Sequence, residues 1–412
     1  MEMRKLILPL FVCLFFGCST TEPEPDNTPN LRALSATEST LVNSSNEFAI
    51  TLFNQLQNNE SNYFLSPLSV GITLGMTLNG AEGETKQGIL NTIQFGNLTD
   101  NEVNKGYADL VNLLSGMDRT VKMNIANSVW YRNTLTVKPT FKSIIESDYS
   151  GTVQGLNFDL PDSKNVINNW VEDKTNNKIK DVIQNINPNL VMFLINAIYF
   201  KGDWAYQFDK AKTRSDNFYL DGGQVIQTEM MVAEKVNVST FLHEKFSLIN
   251  IPFGNKQFEF SVLLPNSQNT TEEILPELQT EALTDWISRA NEQTVELRMP
   301  KFKMKWKKTL NEDLSILGME QSFNQVAAEF PNFFENPLNL YIDFVDHHSF
   351  LEVNETGAEA AAVTVVGIEV TSIGAGPPVI AINKPFVFLI REKHSGAILF
   401  MGQLKNPSLL QQ

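Results

Sequence analysis

With 412 residues, 42% hydrophobic and 19% charged, the chain is long enough to bury one large core or two ordinary ones. A formal charge of -15 excludes the clustered basic surface with which proteins displace counterions from phosphate backbones, so nucleic acid is not an expected partner. Its two cysteines, Cys13 and Cys18, offer no disulfide framework, because Cys13 lies in a segment expected to be removed.

In chain order, the first element is an export signal. Arg4 and Lys5 precede an apolar run from Leu6 to Phe16 that is too short to span a bilayer, so residues 1–17 read as a signal peptide. Phe15-Phe16-Gly17-Cys18 resembles the lipobox of bacterial lipoproteins, with Phe15 where Leu is commoner. That resemblance implies acylation of Cys18 and a secreted protein held by lipid at a bacterial outer membrane or cell surface, facing the periplasm or outward. Residues 18–40, rich in Ser, Thr, Pro, Asn and Glu, read as a flexible tether.

Beyond the tether no repeat, heptad run or second long apolar segment marks a boundary, which predicts one domain over 41–407 and a short tail at 408–412. Apolar spacing predicts helices over Asn46–Leu56, Pro67–Leu78 behind a Ser66 cap, Glu82–Ile93 and Val166–Lys178. β-Branched and aromatic runs predict strands over Val191–Phe200, Phe246–Phe253, Phe258–Pro265, Thr294–Phe302, Leu340–Val353 and Ile380–Gly402. Helices mostly in the first half and strands mostly in the second predict an α+β fold.

The chemistry of an enzyme is absent from the sequence. No Gly-x-Ser-x-Gly elbow, zinc-binding His-Glu-x-x-His helix, dinucleotide loop or phosphate loop occurs, so neither catalysis nor a cofactor is expected. His347 and His348 are adjacent on an expected strand and point to opposite faces, so they cannot easily share a metal ion; one is expected buried and hydrogen-bonded, the other exposed.

The segment 355–378 looks built for two states. Read with a period of two, Ala358, Ala360, Ala362, Thr364, Val366, Ile368 and Val370 share one face, while Glu359 and Glu369 share the other. Its run of alanines favours helix, and its far end is all turn residues, so an ordinary edge strand with a glycine-rich loop is an equal reading of these residues alone.

Four stretches in order resemble the serpin family, and the likeness runs from about Leu41 to Pro407. Asn62-Tyr63-Phe64-Leu65-Ser66-Pro67-Leu68-Ser69 is similar to the family's early shutter motif. Leu194 to Trp204 resembles the strand that leads to the breach tryptophan. Glu355 to Thr364 resembles the hinge of the reactive loop, and Ile382 to Phe388 with Leu399 to Gly402 resembles the C-terminal signature. The resemblance implies a serpin fold of three β-sheets and eight or nine helices with an exposed reactive loop. It implies a monomeric protease inhibitor whose partner is the target protease, trapped as a covalent acyl complex when the cut loop enters the main sheet. A non-inhibitory serpin acting as a carrier is the alternative.

Carried over residue by residue, the resemblance makes Glu355, Gly357, Ala358, Glu359, Ala360, Ala361 and Ala362 the hinge, with Ala358 where Thr or Ser is commoner. It pairs Glu355 with Lys301 near Trp204, and it groups Ser66, Ser69, Asn196 and His347 as the shutter. Counting from the hinge puts the reactive bond at Thr371–Ser372, whereas counting back from Asn383 puts it at Gly374–Ala375; the first is preferred, with cuts after Val370, Ser372 or Ile373 open. No Lys or Arg occurs from Gly357 to Asn383, which disfavours trypsin-like targets and suggests elastase-like, subtilisin-like or papain-like proteases.

Overall fold

The computed structural model describes residues 28–29, 31–57, 62–96, 98–336, 338–358 and 377–409. Helix α1 (Ala36–Gln55) opens on a reciprocal cap in which the Ser35 hydroxyl accepts the Glu38 N–H and the Glu38 carboxylate accepts the Ser35 N–H. Glu38 is buried, and the Arg32 guanidinium bonded to it holds its carboxyl down at about 2. The expected tether is therefore too long: residues 36–40 form the first turn of α1 because this cap nucleates the helix ahead of its apolar face.

The remaining helices are α2 (Pro67–Leu78), α3 (Gly83–Thr92), α4 (Asp100–Gly116), α5 (Pro139–Ser147), α6 (Ser163–Lys174) and three short segments, α7 (Thr271–Ile274), α8 (Thr280–Ser288) and α9 (Asn311–Leu314). α2 has the expected bounds, set by the Ser66 cap and a proline at its first position, and nearly all its residues are buried. α4 and α5 were not anticipated, although α4 carries a Thr99–Glu102 capping box.

The strands are β1 (Tyr63–Leu65), β2 (Lys122–Arg132), β3 (Thr152–Leu156), β4 (Met192–Asp203), β5 (Arg214–Tyr219), β6 (Val225–Leu242), β7 (Phe246–Pro252), β8 (Phe258–Pro265), β9 (Asn291–Pro300), β10 (Phe302–Thr309), β11 (Asp346–Val353), β12 (Gly357–Ala358), β13 (Val379–Ala381), β14 (Phe386–Glu392) and β15 (Ile398–Leu404). The expected strand over Leu340–Val353 is confined to its second half. Backbone groups at 342–345 are satisfied outside any ladder, by Ser322, by Leu310 and by the Asn311 side chain. The expected run over Ile380–Gly402 breaks into β13, parallel to β9, and the antiparallel hairpin β14–β15. Strands β2 and β3 lie in the first half, so the segregation of helix and strand is partial.

One sheet has six strands in the order β10-β11-β12-β4-β2-β3. The other follows β1-β15-β14-β8-β7-β6-β9-β13, with β5 also on β6. The long β6 joins both ends of this sheet: Val225–Met230 pair with β5, Met230–Thr240 with β9 and Ser239–Leu242 with β7. A bulge between Ala233 and Val236, with Lys235 at φ 56°, interrupts the β6–β9 ladder. Helix α2 packs between β4 and β15, so the sheets share one core.

β14 and β15 are buried at every residue, as a strand covered on both faces must be. Phe388 is fully buried and stacks on Phe64 and Phe260 at 6.4 and 5.1 Å. Phe388→Ala should lower the unfolding free energy by about 3–5 kcal/mol, seen as a fall in denaturant midpoint with little change in slope.

Candidate functional site

Among the described residues, the six-stranded sheet is open at its centre. Among the described residues β4 and β11 do not pair with each other, and only the two residues of β12 bridge them. Gly357 lies opposite Asp203, and Ala358 opposite both Gly202 and Val353. Further along the two strands lies a cavity of 350 Å³. Ser69 and Thr73 of α2 line one side of it, and Ile179 and Val182, which follow α6, line the other.

The chain enters the mouth of this slot through a ring of backbone bonds. The Trp204 N–H donates to the Thr356 carbonyl at 2.8 Å, its indole N–H to the Asn354 carbonyl at 2.8 Å, and the Phe208 N–H to the Glu355 carbonyl at 2.9 Å. Trp204 is held for this by Phe253, stacked 4.5 Å away at 10°. Glu355 is 5% exposed, with Lys301 Nζ 3.4 Å from its carboxylate and the Thr213 hydroxyl donating at 3.0 Å. Burial pushes this carboxyl up, but its own backbone N–H, Thr213 and Lys301 outweigh that, so it titrates below the ordinary range. The structure thus brings Glu355, Lys301 and Trp204 to one place, and adds Thr213, Asn354 and Phe253, which sequence spacing did not single out.

A second network lies under the slot, built on the N-terminus of α2. The Ser66 N–H donates to His347 Nε2 at 3.1 Å, while its hydroxyl donates to the Leu399 carbonyl at 2.7 Å and accepts the Ser69 N–H at 3.2 Å. The Ser69 hydroxyl donates to Asn196 Oδ1, Asn196 donates to Asn127 Oδ1 at 2.7 Å, and Asn127 donates to the Tyr149 carbonyl at 2.8 Å. Ser66, Ser69, Asn196 and His347 are therefore joined through α2 and tie β4, β11 and β15 together. Asn127 and Tyr149 extend the network, and no local motif marks them.

Nε2 of His347 accepts a hydrogen bond, so the neutral ring carries its proton on Nδ1. His348 faces the other way and is half buried, not exposed as expected, because the segment after α6 covers that side, with Ile179 and Val182 packed around neighbouring Phe350. Among the described residues no cluster of three His, Cys, Asp or Glu could hold a metal ion. Burial above all depresses both histidines, His347 to about 3 and His348 to about 4; for His348, Lys307 and Lys305 add to this and Asp346 opposes it.

The far end of the loop is held separately. The Glu296 N–H donates to the Pro378 carbonyl at 3.0 Å, and β13 continues from there along β9. Glu359, Ala360, Ala361, Ala362, Thr371, Ser372 and Cys18 lie outside the described residues.

Among the described residues, a gap between β4 and β11 is entered by Gly357 and Ala358 and floored by a polar network. The family profile for serpins (serine protease inhibitors) matches residues 43–407, and the chain belongs to that family. It is 31% identical to human antithrombin-III over 379 residues, 89% of this chain and 82% of that one. The fold is similar to native tengpin, a thermophilic serpin, at TM-score 0.81 and 28% identity, covering 92% of this chain and 97% of that one. It is also similar to human thyroxine-binding globulin complexed with thyroxine, at TM-score 0.82 and 26% identity, covering 91% and 100%.

Two outcomes test this geometry. A Cβ on Gly357 would meet the Gly202 carbonyl oxygen at 2.0 Å and Asp203 Cα at 2.6 Å, both backbone atoms that cannot swing aside. Gly357→Val should unseat β12, and the Trp204 amide should then exchange with deuterium as fast as an exposed loop amide; unchanged protection would count against the seated hinge. For the histidines, the folded values lie below the 6.5 of the free ring, so the unfolded chain binds their protons first. Their contribution is whole above pH 6.5 and is lost as pH falls toward 4, at about 1.4 kcal/mol per pH unit for each ring. His347→Phe should flatten the stability–pH slope in that window by about one proton.

Proposed function

We propose that this serpin is a suicide-substrate inhibitor of elastase-like or subtilisin-like serine proteases, with papain-like cysteine proteases also open to it. The observation that carries the reading is β12, two small residues already paired between β4 and β11. An inserted strand that continued that register would set residue 360 opposite Phe200 and Leu351, and residue 364 opposite Asn196 and His347. The core-facing residues of that strand, Ala358 to Val370, are apolar apart from Thr364, so entry buries no unpaired charge.

The protease nucleophile attacks the carbonyl of Thr371, the bond to Ser372 breaks, and its nitrogen leaves as a new amine. The loop, now ester-linked to the protease and freed at that end, adds to the open edges of β4 and β11. On the order of ten new backbone hydrogen bonds at about 1 kcal/mol each drive this step. Thirteen residues of extended strand would leave the protease about 40 Å down the sheet from the hinge.

The sequence supports export with a lipid on Cys18, which would hold a monomeric inhibitor at a bacterial outer membrane or cell surface. No described helix is long and apolar enough to cross a membrane. A carrier function is the second reading, and the likeness to thyroxine-binding globulin favours it.

Incubating the mature protein with an elastase separates the two. The inhibitor reading expects a complex stable on a denaturing gel and a released peptide beginning at Ser372. Cleavage of the loop with no complex would favour the carrier, and unchanged elastase inhibition by Thr371→Arg would move the reactive bond elsewhere.

A further inference from the structure

The cavity between β4 and the chain leading into β11 is kept open by bonds that lie outside it. The Ile342 N–H donates to the Ser322 carbonyl at 2.8 Å and the Val345 N–H to Asn311 Oδ1 at 2.8 Å, while the Val345 and Asp343 carbonyls accept from the Leu310 N–H and the Asn311 amide. These backbone groups are already paired, which removes much of the drive to close residues 342–345 onto β4. Phe330 and Phe333, both buried and stacked at 5.5 Å, stiffen part of the wall. At 350 Å³ the space is more than twice a cavity of about 150 Å³ that takes a benzene ring, which scales to an occupant of about 14 non-hydrogen atoms.

The lining selects the chemistry of that occupant. Leu74 of α2, Ile179 and Ile183 after α6, and Leu340 and Ile342 supply apolar surface. The charged groups among the described lining residues are the carboxylates of Asp343 and Asp346, and no Lys or Arg is there to meet an anion. His347 and His348 add no positive charge near neutral pH, because burial keeps both rings uncharged. Asp346 is engaged by Lys307 at 3.7 Å and by the Thr309 hydroxyl, and Asp343 is exposed, so an organic acid or an amine would shed its water here without a partner. The remaining polar groups are neutral. Thr73 and Thr77 of α2 spend their hydroxyl protons on the Ser69 and Thr73 carbonyls at 3.1 and 2.8 Å, which leaves oxygens able to accept. His348 lines the cavity too, and its Nε2 is shut off from solvent with no hydrogen-bond partner, a state that is costly until something bonds it.

We propose that this cavity is a binding site for an uncharged, largely apolar molecule of about 14 non-hydrogen atoms that carries one hydroxyl, the hydroxyl bonded to His348 Nε2 and the body held between α2 and the segment after α6. A hydroxyl suits the site because it both donates and accepts, whichever ring nitrogen of His348 holds the proton. The occupant touches α2, β4 and the chain into β11 at once, so it links elements that do not pair with each other and stabilises the uncut protein. Binding here depends on neither the inhibitor nor the carrier reading.

Two probes of similar size test this on the mature protein: 4-phenylphenol, neutral near pH 7, and its charged counterpart biphenyl-4-carboxylate. The phenol should bind one to one in a calorimetric titration and raise the melting temperature until the site is saturated, and the carboxylate should do neither. His348→Leu should weaken the phenol roughly five-fold, the worth of one hydrogen bond. Thr73→Phe and Val182→Phe fill the cavity from opposite walls, and each should abolish binding; if one fails to fold, the other decides. No binding of the phenol at its solubility limit, equal binding of both probes, or a phenol held as tightly by the filled variants as by wild type would overturn the proposal. Unchanged affinity in His348→Leu would overturn the part assigned to that nitrogen.

Discussion

The structure depends on one constraint: backbone N–H and C=O groups along a strand must find partners, and β4 and β11 do not offer theirs to each other. They run parallel at the distance set by an intervening strand, and β12 fills only the first step of it. Everything around the slot either holds that spacing or governs what enters. α2 lies beneath it, the segment after α6 lies above it, and the breach at Trp204 sits at its mouth. An open pair of strand edges is a hazard in most proteins, since it invites a further strand.

The polar groups at this site act as fasteners. His347 stays neutral because burial disfavours its charged form, so it can accept the Ser66 N–H and link β11 to α2. Asn196 does the same for β4 through Ser69. These bonds are individually small, about 1 kcal/mol net, but leaving any of these buried donors or acceptors unpaired costs more. At the mouth, Glu355 is charged and held by Lys301 and Thr213, which fixes the point from which the loop departs.

Much of this was legible in the chain. The Ser66–Pro67 cap announces α2, and the run from Leu194 to Trp204 announces β4. Less visible were the elements whose signals are weak or distant. β2 and β6 are polar along much of their length because only parts of them are buried, so alternation is diluted. α4 is marked by a capping box but broken by asparagines and a glycine. Thr213, Asn127 and Tyr149 join the site across long stretches of sequence with no motif of their own.

By itself, the sequence determined the class of the fold and the family, because these depend on residue type, local caps and period-two patterning. Only the tertiary structure decided that, among the described residues, β4 and β11 do not pair with each other, that Ser66, Ser69, Asn196 and His347 connect through the N-terminus of α2, and that Lys122 faces Lys201 across β2 and β4. Those facts depend on register between strands far apart in the chain, and one residue of slip would reverse every face. Local sequence sets which side chains alternate; only the assembled sheet sets what each one meets.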